Sequence, residues 1–315
     1  MSLSVLMVMD PIGSIDIRKD SSFAMLLEAQ RRGHELLYAS PGGLLLDAGR
    51  AMAKLAPLRV KDDRSGWFET GEAELRGLAE ADVILMRRDP PVDDQYLYET
   101  MILERAATEG ALVVNSPEGL RGMNEKLATL AYPDLCPPSL VARDMQRLRE
   151  FVHRQGEVVV KPLDGMGGRS IFRSHSDDPN LNVILETLTG EGHKLALAQR
   201  YLPEIRDGDK RILLVNGEAV PFALARMPGD SDHRGNLARG GKGVAIPLSP
   251  RDLEIAATIG PDMRDAGMLF VGLDVIGDFL TEINVTSPTC IRELDAQCDL
   301  NIAGMLFDAI ESRLG

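Results

Sequence analysis

The stretch Val158–Phe172, VVVKPLDGMGGRSIF, admits few folds. A β-branched run leads into Lys161. A turn with glycines at 165, 167 and 168 follows, and Ser170–Phe172 is strand-like again. That order predicts strand, glycine-rich turn, strand. Glycines let a backbone fold tightly and turn its N–H groups onto one anion. Lys161, at the end of the first strand, offers an ammonium to the same anion. The phosphate chain of a nucleotide is an anion of that kind. The plainer reading is a hairpin turn with a surface lysine.

A chain of 315 residues accommodates two or three domains, and 44% hydrophobic content supports a sizeable core. The formal charge of -13 disfavours nonspecific nucleic-acid binding. An acidic protein that handles ATP needs metal ions between its carboxylates and the phosphates. The three cysteines, Cys136, Cys290 and Cys298, have no zinc-like spacing and suit a reducing, cytoplasmic setting. The first residues lack a basic start, and no apolar run reaches about twenty residues, so neither a signal peptide nor a membrane span is expected.

The chain opens with a buried strand, Leu3–Met9, and a polar exit loop containing Asp16, Arg18 and Lys19. A helix capped by Ser21 or Ser22 and stopped by Gly33 follows, then a strand at Leu36–Ala39. This β-α-β start predicts a parallel-sheet domain, which binds ligands at the carboxyl ends of its strands. By pattern alone the charged loop is simply solvated. Asp82–Met86 is a further strand, and Arg87 and Arg88 at its exit could clamp a substrate carboxylate. Asp93–Glu109 reads as a helix, Leu112–Asn115 as a strand and Ser116–Gly119 as a turn. Asn124–Lys126 is expected to open a helix, where a cation in the first turn opposes the helix dipole and wants an anion nearby; by pattern alone Lys126 is a surface lysine.

Further on, the pattern gives a strand at Ser139–Ala142, a helix from Asp144 to His153, a helix at Asn180–Leu188 and a strand at Leu195–Arg200. The segment Gln199, Arg200, Tyr201, Leu202 leaves regular structure where free backbone groups could meet an adenine ring. Asp207–Lys210 is expected to turn. Asn216–Gly217 marks a tight hairpin, flanked by Arg211 and Arg226. Residues 229–243 are too rich in glycine and charge for a packed element and read either as disordered surface or as an active-site lid, for which Arg234, Asn236, Gly240 and Gly241 would be anion donors. Pro250–Ala266 and Asp299–Arg313 are helices.

Asp274 lies inside an apolar strand, where an unpaired buried charge is costly. Glu282 and Asn284 stand two apart on the next strand and share a face. Two carboxylates and an amide oxygen suit a hard cation such as magnesium, and the plainer reading is an ordinary hairpin with charged edges. Register decides whether they meet. A two-residue turn at Gly277–Asp278 sets Asp274 opposite Thr281, whereas a three-residue connection sets it opposite Glu282. Cys290 has no histidine near it in sequence and reads as a structural thiol.

The motifs DSSFAM, RRDPP, NEKL, KPLDGMGG, DGDKR, RGNLARGGKG and GLDVIGDFLTEINVTSPTCIRE, between Asp20 and Glu293, together resemble the bacterial glutathione synthetase family of ATP-grasp carboxylate–amine ligases. The resemblance implies an α/β N-terminal pre-ATP-grasp domain with a parallel sheet over residues 1–122. An α+β ATP-grasp fold of two lobes, 123–200 and 201–315, would follow. It implies that Lys126 and Lys161 bind phosphates, that Gly165, Gly167 and Gly168 form a small glycine loop, and that residues 199–202 line the adenine. By the same resemblance Asp274, Glu282 and Asn284 hold Mg2+, or alternatively Mn2+, and residues 229–243 cover the site. Arg211 and Arg226 would stabilise an acyl phosphate and its tetrahedral successor. Asp16, Ile17, Arg18, Lys19, Arg87, Arg88 and Ser287 would lie on the dipeptide side. Asp16, Arg18 and Arg88 depart from the family pattern. The implied reaction joins gamma-glutamylcysteine to glycine with ATP, in a cytoplasmic homo-oligomer, dimer or tetramer. The competing readings are another amino-acid or peptide ligase of this architecture, or a noncatalytic nucleotide-binding regulator.

Overall fold

A computed structural model describes residues 2–165, 168–227 and 242–315. Among these residues the strands form three sheets. The first begins with β1 (Ser4–Val8), helix α1 (Ser21–Arg31) and β2 (Glu35–Ala39), the expected β-α-β unit, with β2 parallel to β1. Asp20, one residue earlier than expected, caps α1 by accepting from Phe23 N. A meander not read from the sequence follows: β3 (Leu44–Asp47), β4 (Arg50–Val60), β5 (Phe68–Thr70) and β6 (Glu74–Gly77), with the other three all antiparallel to β4. Then come β7 (Val83–Met86), α2 (Asp94–Thr108), β8 (Leu112–Val114) and a short α3 (Pro117–Gly122) where a turn was expected. The order β3-β4-β2-β1-β7-β8 keeps β2, β1, β7 and β8 parallel, so their carboxyl ends share one edge.

The second sheet is antiparallel, in the order β11-β10-β12-β9, from β9 (Ser139–Ala142), β10 (Glu157–Pro162), β11 (Phe172–His175) and β12 (Ala196–Arg200). Helices α4 (Met145–Gln155) and α5 (Leu181–Thr189) cover it. Its core is its own: Leu148, Phe151, Val158, Val160, Leu185 and Ala198 pack together without residues from either other sheet.

The third sheet, in the order β15-β14-β13-β16-β17, contains β13 (Asp209–Val215), β14 (Glu218–Met227), β15 (Lys242–Pro247), β16 (Phe270–Ile276) and β17 (Phe279–Asn284). A 3-10 turn, Pro203–Asp207, occupies the approach to β13, and the strand begins at Asp209, inside the expected turn. Helix α6 (Pro250–Asp265) follows β15, and α7 (Ile291–Cys298) and α8 (Ile302–Leu314) close the chain. One closing helix was expected from Asp299. Instead Asp299 takes a left-handed conformation, φ 52°, and separates two helices. The first and third sheets share two cores. Leu6, Ile84 and Tyr96 pack in one cluster with Ile212, Val271 and Ile259, while Phe23 and Val5 join Leu213 and Phe307 in the other. Among the described residues no helix is long and apolar enough to cross a membrane.

Candidate active site

The β16–β17 hairpin forms the acidic floor of a cavity of about 380 Å³. Ile276 pairs with Phe279, so the turn is the two-residue one, with Gly277 at φ 58°. That turn was expected to set Asp274 opposite Thr281. It does not, because the register shifts between Asp274 and Val275, and Asp274 faces Glu282. The extra residue is Thr281, whose buried hydroxyl donates to Asp274 O at 3.1 Å. A bulge, rather than a longer turn, brings the two carboxylates together.

Asp274 is 4% exposed and lies opposite Arg211 on β13. Arg211 grips its carboxylate through Nε and through Nη2 at 3.0 Å. Arg226, on β14 opposite Asp209, adds a contact from Nη2 at 2.9 Å. Asn284 Nδ2 donates to the same carboxylate at 3.2 Å. Burial alone would raise the Asp274 pKa, but the two guanidiniums outweigh it and hold it at about 2. The space for the Arg211 stem comes from Gly272, where an added Cβ would lie 2.9 Å from Arg211 Cδ.

The lysines complete the floor. Lys161, at the end of β10, is 5% exposed, with Nζ 3.7 Å from Glu282 Oε1. Lys126 is 1% exposed. The helix expected at Asn124–Lys126 is absent, and the dipole argument for Lys126 goes with it. Asn124 Oδ1 instead accepts from the N–H groups of Lys126 and Leu127, both at 3.1 Å, and turns the chain into a 3-10 helix, Ala128–Ala131. Lys126 Nζ is held by the Glu125 carboxylate and by Gly165 O at 2.8 Å. Ile283 N donates to Glu125 O at 2.9 Å, which pins this turn to β17.

Gln199, Arg200, Tyr201 and Leu202 line the same cavity beyond Lys161, with Val159, Ile205 and Ile276 as apolar wall. Arg173 stacks 3.9 Å over the Tyr201 ring from outside and is fixed by Glu157. Gly165 and Gly168 also line the cavity. Gly167, Arg234, Asn236, Gly240 and Gly241 lie outside the described residues.

Of the residues placed on the dipeptide side, Ser287 lines the cavity and the others do not. Arg87 is buried and donates to Ser22 Oγ at 3.0 Å and Pro288 O at 2.8 Å. Arg88 pairs with Glu99 at 2.6 Å and Asp93 at 3.4 Å. The expected arginine clamp is therefore spent on the protein's own acceptors. Arg18 makes a two-pronged contact with Asp16 at 2.8 and 2.5 Å, Ile17 is buried and Lys19 is exposed.

Sequence reasoning missed three lining carboxylates, Asp89, Glu125 and Asp209. Asp209 shares a face with Arg211 by period two, a usable signal. Its pairing with Arg226 depends on a register shift between Ile212 and Leu214 that no residue pattern announces. Burial pushes Asp209 up to about 7, with Asp274 and Glu282 adding to the shift and Arg226 opposing it. Burial likewise raises Glu125, beside Glu282.

For magnesium, no group of three or more His, Cys, Asp or Glu among the described residues stands ready to hold an ion. The candidate set is two carboxylates and an amide. It fits a hard cation because its donors are oxygens and Asp274 stays ionised in the buried floor.

Residues 3–121 match the N-terminal domain of prokaryotic glutathione synthetase, and residues 125–299 match its ATP-grasp domain. The chain belongs to the prokaryotic glutathione synthetase family. It is an ATP-dependent ligase of glutathione synthesis. Glutathione synthetase of Xanthomonas campestris is 62% identical over 312 residues, covering 99% of each chain. That of Xylella fastidiosa is 57% identical over 312 residues, with the same coverage. That of Vibrio cholerae is 54% identical over 307 residues, 98% of this chain and 96% of its own. Among solved structures, the ATP-grasp ligase PsnB complexed with minimal precursor, Mg and ADP aligns with a TM-score of 0.63 at 17% identity, covering 99% of this chain and 98% of that one. D-cycloserine synthetase DcsG aligns with a TM-score of 0.65 at 16% identity, covering 97% and 99%. These similarities show a shared ATP-grasp fold.

Proposed function

We propose that this ligase joins gamma-glutamylcysteine to glycine, with ATP converted to ADP and phosphate, in the cavity above β16 and β17. The observation that carries this reading is the convergence of Lys126, Lys161, Arg211, Arg226, Asp274 and Glu282 on one cavity. In this reading Gln199–Leu202 hold the adenine, and Lys126, Lys161 and the N–H groups near Gly165 and Gly168 hold the phosphates. The dipeptide's cysteinyl carboxylate attacks the γ-phosphorus and becomes an acyl phosphate, while the bond from that phosphorus to the β–γ bridging oxygen breaks and ADP leaves. The glycine amine then attacks the carbonyl carbon, and phosphate leaves. Arg211 and Arg226 stabilise the negative oxygens that develop at that carbon. Asp274, Glu282 and Asn284 would hold Mg2+, or Mn2+ in its place. Bound there, the ion supplies charge neutralisation between phosphates and approaching carboxylate. No protein nucleophile takes part. Burial raises the Cys290 thiol despite Arg211 and Arg226, so it stays protonated.

The proposed divisions are 1–122, 123–200 and 201–315, supported by the separate core of the second sheet. A cytoplasmic setting is supported by three unpaired cysteines. Self-association as a dimer or tetramer is a further expectation, read by light scattering of the purified protein.

The test is a product assay with gamma-glutamylcysteine, glycine, ATP and Mg2+. One ADP per tripeptide is expected, and ADP release without tripeptide would overturn the reading. Glu282→Gln should lower kcat about 100- to 1000-fold with an unchanged melting transition. A normal metal-dependent rate in that variant would remove Glu282 from the ligand set.

A further inference from the structure

Among the described residues five carboxylates line the cavity: Asp89, Glu125, Asp209, Asp274 and Glu282. Four of them have a cation of the protein as partner. Glu125 pairs with Lys126, Asp209 with Arg226, Asp274 with both arginines, and Glu282 with Lys161. Asp89 is different. Its side chain accepts from the Ser287 hydroxyl, and among the described residues no cation forms an ion pair with it. Arg87, two residues back, is committed to Ser22 and Pro288. Asp89 is also held in place, since its N–H donates to Asp10 Oδ2 at 2.9 Å. It stands beyond the carboxyl end of β7 and lines the cavity, as do Ser287, Pro288 and Thr289.

A fixed carboxylate facing a substrate cavity, with the buried Arg87 near it but no ion-pair partner among the described residues, fits a cationic substrate group. Under the proposed reaction two groups qualify. One is the α-ammonium at the γ-glutamyl end of the dipeptide, a bystander that keeps its charge throughout. The other is glycine, whose amine must lose a proton before it can attack. A carboxylate paired with glycine would hold it in its unreactive ammonium form. We propose that Asp89 binds the α-ammonium of the dipeptide and so selects an α-amino acid at that end of the acyl substrate. This assignment rests on the ligase reading above.

The test compares two acyl substrates, gamma-glutamylcysteine and N-glutarylcysteine, which lacks only the α-amino group. With wild-type enzyme the natural dipeptide should be preferred. Asp89→Asn should lower kcat/KM for the natural dipeptide about 10- to 100-fold. It should leave kcat/KM for N-glutarylcysteine within about twofold, and KM for ATP and glycine unchanged. Ser287→Ala, which keeps the Asp89 charge, should cost only a few-fold on either substrate. Equal losses on both acyl substrates in Asp89→Asn would overturn the proposal. So would a loss confined to KM for glycine, or a Ser287→Ala variant that matches Asp89→Asn. Absence of tripeptide from the natural dipeptide with wild-type enzyme would instead reject the ligase reading, so the two failures are distinct.

Discussion

Asp209 buries its Oδ1 with no hydrogen-bond partner among the described residues, while Oδ2 meets Arg226 at 2.5 Å. Its carboxyl is raised to about 7, against about 4 for an ordinary aspartate. Over that interval the folded chain holds a proton that the unfolded chain has lost. Stability from this group is therefore complete below about pH 4 and is lost as pH climbs through about 7. Asp209→Asn cannot titrate there. In urea melts at pH 5 and pH 8, the variant should gain stability relative to wild type at the higher pH, and a pH-independent difference would show that Asp209 is ionised throughout. Such a group is hard to read from sequence, because its environment is set by a strand register and three charges from elsewhere. Lys161 was easier, since a lysine ending a β-branched run before glycines carries its own context. Lys126 was reached for the wrong local reason. Burial against Glu125 and Gly165 O, rather than a helix dipole, gives it its place.

Strands and helices with clear periodicity were legible, including β10, β12, α2 and the Asn216–Gly217 hairpin, where both turn residues take positive φ, 50° and 83°. The β3–β6 meander was not read, and Thr281's bulge could not be, since an inserted residue leaves the period-two pattern ambiguous by one position. The same hairpin that joins β13 to β14 approaches α6 closely. A Cβ on Gly260 would lie 2.0 Å from Gly217 O. Alanine favours a helix over glycine by about 1 kcal/mol. Here the collision should win, and Gly260→Ala should destabilise by about 1–3 kcal/mol in chemical denaturation. An unchanged or raised midpoint would show that the helix can shift away without loss.

Across the whole molecule, packing divides the chain unequally. The first and third sheets share two cores, and the second sheet has its own. Asn115, buried after β8, strengthens the larger unit. Its Nδ2 donates to Phe270 O at 2.8 Å and Val285 O at 2.7 Å, and its Oδ1 accepts from Phe270 N at 3.0 Å. Native-state hydrogen exchange should show the amides of β9, β10 and β12 opening together, at a lower free energy than those of β1 and β16. A common opening free energy for both sets would mean a single cooperative body. The strands that carry the candidate site were visible in the sequence, but this grouping was not, because it depends on contacts between residues more than a hundred positions apart.

Asn115 grips the start of β16 and the residue just past β17, so the strip from Asp274 to Ser287 travels with the sheet that carries Asp89. The second sheet, with its separate core, is the part of the cavity wall that shares least packing with that strip. Under the proposed reaction, Asp89 and Ser287 would then keep their spacing while nucleotide exchanges, and the acyl-substrate contacts would not have to be rebuilt at every turnover.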